Sequence, residues 1–245
     1  MWEFLLKYGY IIFTALLLPA MIFAIWAQSR VTKVFNTFKK VPSQNGKTAA
    51  EVAKEMLQNA GISDVEVVKI NGNLTDNFDP RTKKVSLSEE VYDSTSVGSI
   101  GVAAHEVGHA IQNHTNYFPL KLRLFTIKLC NFSSSMLIPL IIISIITFSL
   151  IPFISMGIIL FAILSFVLSF LISIITLPVE YNASNRAVAI LSKNAILTPT
   201  ETNQSRTVLS AAALTYVAST LISLLNFLRI LFYFLGIFGG GKNKN

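Results

Sequence analysis

Long uncharged stretches alternate with shorter polar ones along the chain. They cover residues 8–29, 129–179 and 207–228, and contain 22, 51 and 22 residues. A helix needs about 20 apolar residues to cross a bilayer. The first stretch therefore predicts one span, and the second predicts two spans joined by a turn at residues 151–157. The third predicts a C-terminal span, although Arg229 is also compatible with a helix lying in the membrane interface.

The composition also indicates a membrane protein. Of the 245 residues, 52% are hydrophobic and 13% are charged, whereas a soluble domain has about 25% charged residues. The single Cys130 excludes a disulfide scaffold. A cleavable signal peptide is the alternative interpretation of the first stretch. Its apolar core is long and no clear small-x-small site follows it, which favours a retained anchor.

Basic residues near the first span predict its orientation. Only Lys7 is basic before it, whereas five basic residues and no acid follow it before Glu51. Because positive residues stay on the cytoplasmic side, we expect the polar region after the span to be cytoplasmic. The formal net charge of +7 is then explained by attraction to anionic lipid, and no nucleic-acid partner is expected.

Residues 47–118 form a polar block with the pattern of a small α+β unit. Thr48 and Glu51 match a capping box, which predicts a helix that ends at Gly61. The β-rich residues 65–70 and 85–88 predict strands, and turn-forming residues follow the first of them. From Ser96 to Gln112 the pattern is helical again.

The second helix of this block carries the motif His105-Glu106-Val107-Gly108-His109. Histidines at positions i and i+4 lie on one helical face, where both rings can reach one Zn²⁺. The adjacent Glu106 can take a proton from a zinc-bound water and return it to the leaving amine of a cleaved peptide. Histidines buried for packing are the alternative reading. The small residues around the motif favour the metal site.

A catalytic zinc ion needs a third protein ligand, and the sequence offers few candidates. His114 falls on the opposite helical face from His105. After residue 106 the only acids are Glu180 and Glu201. Glu180 directly follows the predicted two-span hairpin, which returns the chain to the side where it entered. We therefore predict Glu180 as the third ligand. An acid snorkelling at the end of a span is the alternative.

Four segments resemble the YugP-type membrane zinc metallopeptidases, in the same order and over nearly the whole chain. They are residues 74–82, 103–112, 177–184 and 211–217. The resemblance implies a multi-pass protein of the bacterial cell membrane with a gluzincin-like site and one Zn²⁺ per chain. It implies His105 and His109 as ligands and Glu106 as the catalytic acid/base. Glu180 matches the third ligand of the related HtpX and CAAX-prenyl endopeptidases.

The chain departs from the family pattern at two positions. Asn77 stands where a His is usual, and Asn182 stands where an Asp is usual. Neither residue is an expected ligand, so zinc binding should survive. If the usual Asp orients a ligand histidine, Asn182 weakens that contact.

Other residues near the motifs are candidates for holding the substrate or supporting the ligands. The segment from Asp76 to Pro80 is either an edge strand that binds peptide by strand addition or an ordinary hairpin. Tyr181 and Arg186 are candidates to stabilise the oxyanion, with a surface or lipid-phosphate contact as the alternative for Arg186. Ser184 completes this group of candidates.

Together these observations predict an α-helical multi-pass membrane protein with a small α+β, gluzincin-like zinc-protease domain in the cytoplasm. The expected parts are an anchor (1–30), a cytoplasmic catalytic region (31–128), a transmembrane hairpin (129–179), a cytoplasmic segment with the third ligand (180–207) and a C-terminal transmembrane or interfacial helix with its tail (208–245).

The expected activity is hydrolysis of peptide bonds in membrane or membrane-proximal proteins. Three alternatives remain. One is a non-catalytic scaffold with a structural zinc, which would need Cys130 or His114 as a further ligand. Another is an intramembrane site-2 type protease, which the polar residues from Ser94 to Asn116 disfavour. The third is a transporter, which would need ionisable residues within the spans.

Overall fold

The computed structural model describes residues 2–147 and 152–239, and it is mostly helical. The chain forms two compact units. The first contains Met1–Ile25, Leu122–Thr176 and Tyr216–Asn245, and the second contains Trp26–Lys121 and Leu177–Thr215. The helices are α1 (Trp2–Phe38), α2 (Ala49–Asn59), α3 (Glu89–Tyr92), α4 (Val97–His114), α5 (Phe118–Thr147), α6 (Pro152–Lys193) and α7 (Pro199–Gly239), and the strands are β1 (Glu66–Ile70), β2 (Asn77–Asp79) and β3 (Lys84–Ser88).

Three helices of the described part are long and apolar enough to cross a membrane. These candidate spans cover Phe4–Phe38, Leu160–Lys193 and Pro199–Gly236. The sequence also predicts a span in the region of α5, which is not among these three. The turn predicted at residues 151–157 is wrong for residues 152–157, since α6 already begins at Pro152. Residues 148–151 lie outside the described part.

Aromatic and hydroxyl contacts join the helices within the first unit. Phe13 of α1 packs against Phe232 of α7, and Phe170 of α6 stacks on Phe227 of α7. The Ser173 hydroxyl donates to Ser223 Oγ at 2.9 Å. Side-chain hydroxyls that bond across helices are typical of helix association in an apolar surrounding.

The second unit is built around α4. Its buried apolar side chains pack against α2, the sheet, and the segments of α1, α6 and α7 that belong to this unit, in one continuous core. The sheet has the order β1-β3-β2, with β1 parallel and β2 antiparallel to β3. The short strand β2 therefore lies at an edge, beside α4.

Local sequence signals explain the ends of the helices in this unit. The Thr48–Glu51 capping box forms as predicted, with Thr48 N–H donating to Glu51 at 2.8 Å and Glu51 N–H donating to Thr48 Oγ1 at 3.2 Å. Helix α2 ends just before Gly61, which has a φ of +70° that a glycine adopts without strain. Ser96 caps α4 by accepting from Ser99 N–H.

Candidate metal centre

Three potential metal donors meet between α4 and α6. His105 and His109 project from one face of α4, and their rings are edge to face with centroids 4.7 Å apart. Glu180 of α6 brings its Oε2 atom to 3.1 Å from His105 Nε2 and 3.6 Å from His109 Nε2. The three ligand atoms lie within 4.8 Å of one another. The His105, His109 and Glu180 side chains are 15%, 11% and 3% exposed, so the cluster is largely shielded from bulk water.

The donor set fits a zinc ion in both chemistry and spacing. Two imidazoles and a carboxylate are the ligands of one common class of catalytic zinc sites. A tetrahedral ion with ligand bonds of about 2.1 Å holds its donor atoms about 3.4 Å apart. The distances of 3.1 Å and 3.6 Å from Glu180 to the two histidines are close to this value. The residues present could therefore hold zinc with little movement.

Glu106 lies next to His105 on α4 and is buried. Burial raises the pKa of its carboxyl; the two neighbouring histidines oppose this shift, and the Glu180 carboxylate adds to it. The pKa of His109 also departs from its usual range. Burial lowers it, but the carboxylates of Glu180 and Glu106 outweigh burial, so the net shift is upward. The site thus contains two carboxylates. Glu180 is one of the three potential metal ligands, and Glu106 lies buried beside them.

Ser184 supports His105 from α6. Its Oγ lies 3.0 Å from His105 Nδ1. If His105 Nε2 faces a metal ion, its Nδ1 carries the proton and donates to the serine hydroxyl. A hydrogen bond on the remote nitrogen fixes both the tautomer and the rotation of a ligand ring. Ser184 follows Glu180 by one helical turn, which explains why both reach the same histidine.

Gln112 supports His109, and sequence reasoning missed this residue. The amide is completely buried, and its Oε1 atom lies 3.0 Å from His109 Nδ1. Gln112 follows His109 by three positions on α4, so both lie on one helical face. This spacing is the signal that could have identified it, since a buried polar residue near a ligand histidine is a natural partner for the second ring nitrogen.

Hydrogen bonds connect Gln112 of α4 to Asn182 and, through it, to Arg186, both on α6. Asn182 Oδ1 accepts from Gln112 Nε2 at 3.0 Å and from Arg186 Nε at 2.8 Å. Arg186 also donates to Thr115 Oγ1 at 3.2 Å, and its guanidinium lies over the Tyr117 ring. These contacts place Arg186 against the end of α4. Tyr181 is exposed, directly after Glu180 in the chain.

Asp76 and Asn77 lie where the chain enters the edge strand β2. The Asp76 carboxylate accepts from the backbone N–H of Ser88 at 2.8 Å and from its hydroxyl at 3.1 Å, which ties this entry to the end of β3. Burial raises the pKa of Asp76, and the bonds from Ser88 oppose that shift. Asn77 is exposed and donates to the Thr75 carbonyl at 2.9 Å.

The other residues considered as a third donor lie elsewhere. His114 is exposed at the last position of α4. Glu201 accepts from the backbone N–H groups of Gln44 and Thr198, at 2.7 Å and 2.8 Å. Its carboxylate is therefore engaged in holding the start of α7. Neither residue belongs to the cluster of His105, His109 and Glu180.

Comparison with known proteins identifies the family. The model of a family described as "putative neutral zinc metallopeptidase" matches residues 13–235. The chain belongs to this family. It is also 40% identical over 234 residues to the "putative membrane protease YugP" of Bacillus subtilis (strain 168), which covers 96% of this chain and 100% of the relative. No solved structure matches the chain. The family resemblance drawn from the sequence motifs is thus confirmed, and all three candidate metal donors lie inside the matched region.

Proposed function

We propose that the protein is a membrane-anchored zinc endopeptidase that cleaves membrane or membrane-proximal proteins on the cytoplasmic side. The observation that carries the proposal is the arrangement of His105, His109 and Glu180 around one point, with Glu106 buried beside them on the same turn of α4. The membership of a zinc metallopeptidase family and the similarity to a membrane protease support it.

In this proposal the two glutamates have separate tasks. Zinc, when bound, lowers the pKa of its water and polarises the carbonyl of the scissile peptide. The Glu180 carboxylate would hold the ion together with the Nε2 atoms of the two histidines. The Glu106 carboxylate takes the proton of the attacking water and delivers it to the leaving nitrogen. Glu106 is suited to this task because it is buried beside the donor atoms on the same turn of α4.

The edge strand β2 is a suitable place for the substrate backbone. It pairs with β3 on one side and lies beside α4, which carries the metal donors. An extended peptide that adds to the other side would gain main-chain hydrogen bonds while it runs along the site. Asp76 anchors the start of this strand through Ser88, so its role in the proposal is to hold the strand in place.

The number of donors supports a catalytic over a structural zinc. Structural sites surround the ion with four protein ligands, whereas catalytic sites keep one position for water. The donor cluster found in the described part of the chain has three members, and neither Cys130 nor His114 is among them. The packing of α4 against α2 and the sheet likewise favours a folded domain over the intramembrane helix of a site-2 type protease.

The substitution Glu106→Gln tests this function. We expect the variant to keep one zinc per chain while proteolysis of co-reconstituted membrane proteins falls at least about 100-fold, because the amide cannot accept the proton. Glu55→Gln, which changes a glutamate paired with Lys47 on the surface of α2, is the matched control and should cleave normally. Undiminished cleavage by Glu106→Gln would remove Glu106 from its role. A zinc-loaded wild-type protein that cleaves nothing would favour the alternative of a non-catalytic scaffold with a structural zinc.

A further inference from the structure

The fully buried side chain of Gln112 makes three hydrogen bonds that together determine how its amide is oriented. Its Nε2 donates to the Val179 carbonyl at 2.8 Å and to Asn182 Oδ1 at 3.0 Å, and its Oε1 faces His109 Nδ1 at 3.0 Å. A backbone carbonyl can only accept a hydrogen bond. The Val179 carbonyl therefore requires the NH₂ group on its side, and the Gln112 oxygen must face the histidine.

Asn182 is oriented independently from the opposite end. Its Oδ1 receives the Arg186 Nε proton at 2.8 Å, and a guanidinium has donors only and stays charged. The Asn182 oxygen is thus directed toward both Arg186 and Gln112. Each hydrogen bond in the series from Arg186 through Asn182 and Gln112 to His109 thus has a fixed donor and a fixed acceptor. In the bond between Gln112 and His109 the Gln112 oxygen accepts, so His109 Nδ1 must carry a proton.

We propose that Gln112, oriented by Val179, Asn182 and Arg186, is a positioning residue that holds His109 as the Nδ1–H tautomer with Nε2 directed at the metal. The inference rests on the proposed zinc site. It assigns to Asn182 and Arg186 a role in metal affinity through Gln112, with neither of them touching a ligand. It also explains why an amide suits position 182, since Asn182 needs only an acceptor oxygen here.

Replacing the glutamine tests the positioning role. Gln112→Met has a similar volume and removes all three hydrogen bonds. We expect zinc affinity, measured by competition with a chromophoric chelator, to fall about 10- to 100-fold. His114→Ala changes a histidine at the exposed end of the same helix and should bind zinc like the wild type. Circular dichroism checks that each variant is folded.

Two substitutions at position 182 separate hydrogen-bond direction from packing. Asn182→Leu removes the acceptor and should weaken zinc binding, whereas Asn182→Asp keeps an acceptor for Gln112 and Arg186 and should retain most of the affinity. If Gln112→Met does not fold, this pair decides the question. Equal zinc affinity of the Leu and Asp variants would then overturn the proposal.

The Nδ1 proton of His109 can be observed without substrate. In zinc-loaded protein labelled with ¹⁵N-histidine, we expect His109 Nδ1 to carry a proton that exchanges slowly with water in the wild type and much faster in Gln112→Met, because the Gln112 oxygen no longer accepts it. Equal exchange rates in the two proteins, or wild-type zinc affinity in a folded Gln112→Met variant, would contradict the inference. A wild-type protein that binds zinc with the expected tautomer but cleaves nothing would refute the proteolytic function alone.

Discussion

Gly108 of α4 lies directly against the backbone of Ala183 of α6. A Cβ placed on Gly108 would stand 3.0 Å from the Ala183 carbonyl carbon and 3.2 Å from its Cα, and would overlap the carbonyl oxygen. Ala183 follows Glu180 by three residues. Because position 108 has no side chain, α6 can lie close to α4. This close approach lets Glu180 reach His105 and His109.

Gly108→Ala should therefore damage the metal site through a single methyl group. A backbone carbonyl cannot move aside like the end of a flexible side chain, so the helices must separate. We expect zinc affinity to fall at least about tenfold, together with a lower melting temperature. Gly157→Ala is the matched control, because a Cβ there meets no atom within 4 Å. Normal zinc binding by Gly108→Ala would show that α4 and α6 can separate without moving Glu180.

Removing the Glu180 carboxylate should remove zinc. Glu180→Ala leaves two histidine donors, and we expect elemental analysis after dialysis to give less than about a tenth of the zinc of the wild type. Glu201→Ala removes the other downstream acid, which caps α7, and should keep its zinc while losing about 1 kcal/mol of stability. Zinc loss in the Glu201 variant and retention in the Glu180 variant would exchange their assignments.

The hydroxyl of Ser184 should contribute to metal affinity through His105. Ser184→Ala removes the acceptor 3.0 Å from Nδ1, and we expect zinc to bind about tenfold more weakly with little change in fold. Ser184→Thr keeps a hydroxyl and should recover part of the loss. The same zinc affinity for the Ala variant and the wild type would mean that His105 needs no partner on its second nitrogen.

The orientation of the second unit, which carries the motif, can be tested with a reporter. Five basic residues lie between the first uncharged stretch (8–29) and Glu51, so a fusion made after Lys47 should behave as cytoplasmic. Alkaline phosphatase should be inactive at this position and a cytosolic fluorescent protein active. The opposite pair of results would place the motif outside the cytoplasm.

The sequence predicts the elements whose signals are local. The Thr48–Glu51 capping box, the helix that carries the motif and the strands around it depend on residues a few positions apart, and the structure contains all of them. The pairing of α4 with α6 depends on residues that are 70 to 79 positions apart. No periodicity fixes that register. This is why Ser184 could be named only as a candidate. Gln112 differs, since it lies three positions after His109 on the same helix; only the contacts of its amide with Val179 and Asn182 of α6 depend on the long-range pairing.

The interpretation of Asn182 illustrates the same limit. If the Asp that is usual at this position orients a ligand histidine, Asn182 is expected to make a weaker contact with that histidine. On a helix, however, residues two positions apart point in different directions. Ser184, four positions after Glu180, reaches His105, whereas Asn182 reaches Gln112. In place of a contact from position 182 to a ligand histidine, the structure has a contact from Ser184 to His105 and another from Asn182 to Gln112.

The donor set is divided between parts of the chain that are made at different times. Two donors are present once α4 has been synthesised, but Glu180 comes 75 positions after His105, after all of α5 and much of α6. A nascent or truncated chain that ends before residue 180 holds an incomplete set of ligands. In the proposed function, the chain therefore cannot cleave a peptide until the segment between α4 and Glu180 has been synthesised.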